Sequence, residues 1–303
     1  MEPRHAIPAS PRWASVRALP RVSRRAGFWL VAFSFLVVAA FSTAPSSLYG
    51  LYERHDHLSS LTITFVYAVY AVGIVVSLLF AGHVSDWYGR RPVLLSALAV
   101  AVLAAVVFLV WRSLAGLLVA RVLTGLAFGA AVATATAFVT DLDAGPGGVA
   151  TRRAGIVATI ANIGGLGLGA LIAGLLARYV AHPLTLSFIV FLVALVAAVG
   201  LVILAPEGHA AVHPRPRYHP QRLAAPTGAR RQFLAATTGA FMSFAIFGLF
   251  AGLAGAFLAG PLHHPSPALT GLTIFLTFGT GVLVQSVTTR WPAPAWSRLG
   301  SLR

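Results

Sequence analysis

Eight stretches of about twenty mostly apolar residues dominate this chain, and that length is what an α-helix needs to cross a hydrocarbon core about 30 Å thick. They run over Phe28–Leu48, Leu61–Gly82, Val93–Trp111, Leu114–Phe138, Gly155–Leu176, Leu184–Ala205, Phe233–Leu258 and Leu269–Thr289. Each is apolar around its whole circumference and lacks the period-two alternation of a membrane strand, so the runs read as helices and not as a barrel. The expected fold class is an all-α, polytopic membrane protein. The basic segment before Phe28 has the charge of a secretory n-region, but the first run is too long for an h-region and further spans follow it directly.

The arginines set the orientation. All 22 basic residues are arginine, against seven carboxylates, for a net charge of +15. Such a charge fits either a nucleic-acid footprint or the positive-inside bias of membrane insertion. With a cytoplasmic N-terminus, 18 arginines fall in inside loops and tails, three (Arg54, Arg112, Arg178) fall outside, and Arg121 lies within a span. Insertion bias therefore accounts for the charge, no nucleic-acid partner is required, and both termini are expected in the cytoplasm. Residues 1–27 read as a basic cytoplasmic tail and 28–205 as a six-helix bundle. Residues 206–231, with five prolines and five arginines, read as a solvated linker. Residues 232–289 read as a partial second bundle of two helices, and 290–303 as a short tail, either frameshifted or truncated or natural.

Four segments carry the candidate chemistry. The loop after the second run reads Gly82-His83-Val84-Ser85-Asp86-Trp87-Tyr88-Gly89-Arg90-Arg91-Pro92. Gly82 permits close helix approach, Asp86 suits a helix N-terminus, Gly89 permits a turn closed to bulkier residues, and Pro92 suits the first turn of the next helix. Two arginines in a short loop are also what any inside loop looks like. The fourth run opens with Arg121-x3-Gly125-x3-Gly129, a small-residue ridge with an ionisable group about two turns into the span. Such a group is costly unless it faces a cavity or a partner; the alternative is an arginine snorkelling to the interface. The fifth run carries Asn162 and the ladder Gly165, Gly169, Gly174, and the first ends Thr43-Ala44-Pro45-Ser46-Ser47-Leu48-Tyr49. There Pro45 frees a backbone carbonyl and the hydroxyls can face a cavity, while Tyr49 and Tyr52 also suit an interfacial belt.

The loop resembles the G-x-x-x-D-x-x-G-R-R signature of the major facilitator superfamily, and R-x-x-x-G-x-x-x-G in the fourth helix is a feature of the same family. The resemblance covers about Phe28–Thr289. It implies a helical bundle with a complete N-terminal six-helix half plus two helices of the C-terminal half, working as a secondary active transporter of a small solute by alternating access. It implies ion or proton coupling. It also implies a conformational charge network of Asp86, Arg90 and Asp141 within the Gly82, Gly89, Arg91 loop motif, and coupling or substrate roles for Arg121, Asn162, Tyr49 and Gln285. Gly125, Gly129, Gly165 and Gly169 are expected at helix contacts. Antiporters of the family carry G-x-x-x-G-P-x-x-G-G in the fifth helix; here Ala170 replaces the proline and Ala173 a glycine, a slight tilt toward drug or metabolite efflux.

The expected partners are a small-molecule substrate, protons and the lipid bilayer, with the chain a monomer in a bacterial inner membrane. No carboxylate lies mid-membrane in these spans, so coupling falls to Arg121 or to Glu53 and Asp56 near the outer surface. The chain has no cysteine, and its histidine pairs lack accompanying carboxylates, so neither a metal nor another cofactor is expected. No nucleophile–base pair or phosphate-binding loop indicates an enzyme. The competing reading is a non-transporting truncated remnant or a membrane interaction protein.

Overall fold

A computed structural model of the chain describes residues 22–56, 58–145, 147–208, 228 and 230–288, with the side chains at 55, 56 and 288 excepted. Most of the N-terminal tail, most of the 206–231 linker and the 290–303 tail therefore lie outside the described residues. Among those described, eight helical stretches are long and apolar enough to cross a membrane. The first comprises α1 (Arg24–Thr43), a 3₁₀ turn over Ala44–Leu48 and α2 (Tyr49–Asp56). Then follow α3 (Ser60–Ala81), the short α4 (Val84–Tyr88), α5 (Arg90–Val110) and α6 (Leu114–Ala144). The fifth span comprises α7 (Arg152–Thr159), a π-turn at Ile160–Gly164 and α8 (Gly165–Tyr179). The last three are α9 (Pro183–Leu204), α10 (Arg230–Ala259) and α11 (Pro267–Thr288).

Local chemistry places the helix starts. Ser23, Ser59 and Ser113 accept hydrogen bonds from the amides of Ala26, Thr62 and Gly116 and so cap α1, α3 and α6. Proline opens α9 and α11, where its missing N–H costs nothing. Several helices outrun their apolar cores. The first span extends to Arg54 and the fourth to Ala144, beyond the expected ends at Leu48 and Phe138. The helical hydrogen-bond ladder continues past the hydrocarbon wherever polar residues find partners, as Asp141 does below. Arg230 and Arg231, expected in the linker, instead form the first turn of α10.

Helix α1 runs through the middle of the bundle, with Phe35 and Phe41 fully buried, and packs on α6, α8 and α9. Small residues permit these contacts. A Cβ on Gly165 would lie 2.7 Å from the Leu36 carbonyl oxygen, and one on Gly169 would collide with the backbone of Ala40. Gly129 meets Ile74 and Ser77 of α3 in the same way, and Gly125 meets Gly73, so α3 and α6 touch backbone to backbone. A stack of rings, Phe108 on Phe188 at 4.3 Å with Phe41 at the edge of Phe108, fills the opposite side of α1. The α10–α11 pair docks through α11 onto α8, and α10 reaches α2, α3 and the 3₁₀ turn. The outer surface of α10 exposes Phe241, Phe244, Leu249 and Phe257.

Candidate functional site

Arg121 is fully buried, 0% exposed, seven residues into α6. That depth corresponds to about 10 Å along the helix axis. The 3₁₀ turn prepares its first partner. Pro45 has no N–H, and the shift to i→i+3 pairing leaves the Ser42 carbonyl open to an outside donor. Arg121 Nη1 donates to that carbonyl at 2.9 Å. Three tyrosine rings surround the guanidinium, at 4.4 Å for Tyr70, 5.5 Å for Tyr49 and 5.8 Å for Tyr67. Tyr70 is held in place by donating to Ser42 Oγ at 3.2 Å. Arg121 Nε and Nη2 and the Tyr49 hydroxyl are buried without hydrogen-bond partners. Among the described residues no carboxylate lies within ion-pair distance of Arg121. The guanidinium therefore points inward and does not snorkel.

Of the residues grouped by sequence, Arg121 and Tyr49 are brought together. Gln285 lies elsewhere. It lines a cleft of about 210 Å³ with Thr151, Arg152, Gly155, Ile156 and Thr159, at the end of the bundle that carries the arginine pairs. The reason is helical rise, since Gln285 lies near the end of α11 that neighbours α7. Asn162 sits in the π-turn, an irregularity frequent at functional positions, with its buried Oδ1 unpaired. Tyr67, Tyr70 and Ser42 were missed. The Tyr67-x2-Tyr70-x2-Gly73 spacing, which puts polar rings and a glycine on one face of an apolar span, was the available signal.

A second cluster occupies the arginine-rich end. Gly89, at φ +96°, ends α4 and starts α5 in a conformation that side-chain-bearing residues rarely adopt. The turn delivers Arg90 to three acceptors: Asp86 Oδ1 at 2.5 Å and Ser85 Oγ at 2.7 Å through Nη1, and Asp141 Oδ2 at 3.0 Å through Nε. Arg24 donates to the Asp141 carbonyl at 2.6 Å, and Arg91 to that of Ile203 at 2.5 Å, each neutralising a helix C-terminus. Glu207, just beyond α9, closes the cluster. Its Oε1 accepts from the amides of Arg90 at 2.9 Å and Arg91 at 3.2 Å, the first two orphan donors of α5; Pro92 has none. All these partners belong to the first six spans or to the segment just after them. The half-exposed Asp86 is the outward member.

This cap predicts a specific loss. Glu207→Ala should lower stability by about 1 kcal/mol, and Glu207→Gln by less because an acceptor remains. Thermal unfolding in detergent would decide, and equal losses for the two variants would show that charge and not the cap governs.

Eight helices long and apolar enough to cross a membrane, a closely packed six-span block with a docked helix pair and a buried, aromatic-walled cation define a polytopic membrane protein. The chain belongs to the Major Facilitator Superfamily, whose family model matches residues 9–301. Among solved structures it is similar to the human organic anion transporter MFSD10 (TETRAN), with a TM-score of 0.64 and 19% identity over 91% of this chain and 74% of that one. At that identity the likeness shows the fold. No curated protein matches the sequence.

Proposed function

We propose that the chain moves a small solute across a bacterial inner membrane by alternating access, driven by an ion or proton gradient, with both termini cytoplasmic. The observation that carries this reading is Arg121, a fully buried cation with two unpaired nitrogens beside the 3₁₀ break of the first span. Intramembrane charge is expensive and is kept where it meets a transported species or proton. The arginine count supports the orientation, since the loops that hold Arg90, Arg91, Arg152 and Arg153 face one side. The Arg90 cluster holds the first six spans closed at that side, and Asp86, its exposed member, is the one that exchanges Arg90 for the second block during the cycle. Efflux is the direction in keeping with the glycine ladder of the fifth span.

The chain has no native cysteine, which makes the test direct. Gly50→Cys and Gly155→Cys each enter space with nothing within 4 Å, and the two glycines line clefts at opposite ends of the bundle. With a membrane-impermeant maleimide, Asp86→Asn should raise labelling at position 155 severalfold and lower it at position 50. Unchanged labelling at both, or a rise at both, would refute alternation.

A further inference from the structure

We infer that Arg121 and Tyr49 form a subsite for the carboxylate of an organic monoanion carried by this protein. The inference deepens the transport reading of the Arg121 site and rests on it. A guanidinium has five N–H donors, and Arg121 spends one of them on the Ser42 carbonyl through Nη1, with Tyr49 close beside it. Nε and Nη2 are unsatisfied at 0% exposure, and the Tyr49 hydroxyl beside them is unsatisfied at 4%. Three donors converge, and the described residues supply no carboxylate there. This is the donor set for one planar carboxylate, taken up by the fork of the arginine with a third bond from the phenol.

The single positive charge selects a monoanion, since a doubly charged phosphate would bury one charge unpaired. The aromatic walls select an apolar body. Tyr67 forms one wall, and its ring lies against the side-chain-free face of Gly248 and Gly252 on α10, 3.3 Å from where a Cβ on Gly252 would stand. A route is visible from the end opposite the arginine pairs. A cleft of about 80 Å³ between the 3₁₀ turn and the α10–α11 pair is lined by Ser46, Gly50, Glu53, Gly255 and Thr270. It stops at Ser46, whose buried Oγ also has no partner, one turn short of Tyr49. Opening that cleft would lead a carboxylate past Ser46 to Arg121.

The test is ligand-dependent thermal unfolding of the purified chain in detergent, which needs no transport and so fails independently of the transport reading. Benzoate and indoleacetate are compared with their neutral amides and with inorganic phosphate. The carboxylates should raise Tm by several degrees at saturating concentration, and the amides and phosphate should not. Arg121→Gln should abolish the shift. It should also raise the ligand-free Tm, because it removes an uncompensated buried charge. Tyr49→Phe should weaken benzoate binding about tenfold. No carboxylate shift in the wild type, an equal shift with the amides, or a shift with phosphate alone would overturn the proposal. So would a fall in the ligand-free Tm of Arg121→Gln, which marks a structural arginine. Tyr49→Phe gives a second, independent decision, and unchanged benzoate affinity in it would likewise overturn the subsite.

Discussion

Gly169→Val should leave almost no folded protein. A Cβ at position 169 collides with the carbonyl group of Ala40, backbone against backbone, so no side-chain rotation can relieve it. The two helices would have to separate. α1 is the central helix of the bundle, and moving it also strains the hydrogen bonds from Thr43 Oγ1 to Leu166 and from Ser47 Oγ to Ala170, at 2.5 and 2.7 Å. The cost should exceed about 3 kcal/mol, the upper part of the usual range for overpacking. Gly200→Ala is the control. It faces outward on α9 with nothing within 4 Å, and it should be neutral or stabilising by up to about 1 kcal/mol. The check is the monodisperse fraction recovered in detergent. Equal recovery of both variants would show that α1 and α8 do not need their close contact.

Arg90→Ala should cost about 3 kcal/mol and outweigh loss of either acidic partner. Its side chain is 12% exposed and satisfies Asp86, Ser85 and Asp141 together, so removing it strands the three-quarters-buried Asp141. Asp141→Ala should cost about 2 kcal/mol, because Arg90 retains its other acceptors. Asp86→Asn should cost less than about 1 kcal/mol, since that carboxylate is 54% exposed and screened by solvent. Arg90→Lys should recover only part of the loss, because an ammonium cannot present the fork that serves two carboxylates. Unfolding midpoints of the four variants give the order. A larger effect from Asp86→Asn than from Asp141→Ala would show that the α4–α5 pair, and not the pair that ties α5 to α6, carries the stability.

The loop motif shows how far local sequence reaches. Gly89, Arg90 and Arg91 were legible because a turn with positive φ and a membrane-surface cation each demand particular residues within a few positions. Asp141 was reached through the family pattern, some fifty residues away. Glu207 was almost invisible, since capping α5 from beyond α9 joins positions separated by 117 residues. The depth of Gln285 was not legible, because a polar residue in an apolar run shows that it is unusual but not at which depth its helix docks.

The number of spans and their approximate ends follow from the sequence alone, because a hydrocarbon slab imposes length and apolarity on each segment separately. So does the close-packing role of the glycines, since a missing side chain is a local property. The environment of Arg121 was decided only by the tertiary structure. Its partners Ser42, Tyr49, Tyr67 and Tyr70 come from the first two spans, 51 to 79 residues earlier in the chain. Only the packing of α6 against α1 and α3 determines that this cation meets three aromatic rings and one carbonyl. The same packing leaves two of its nitrogens unpaired.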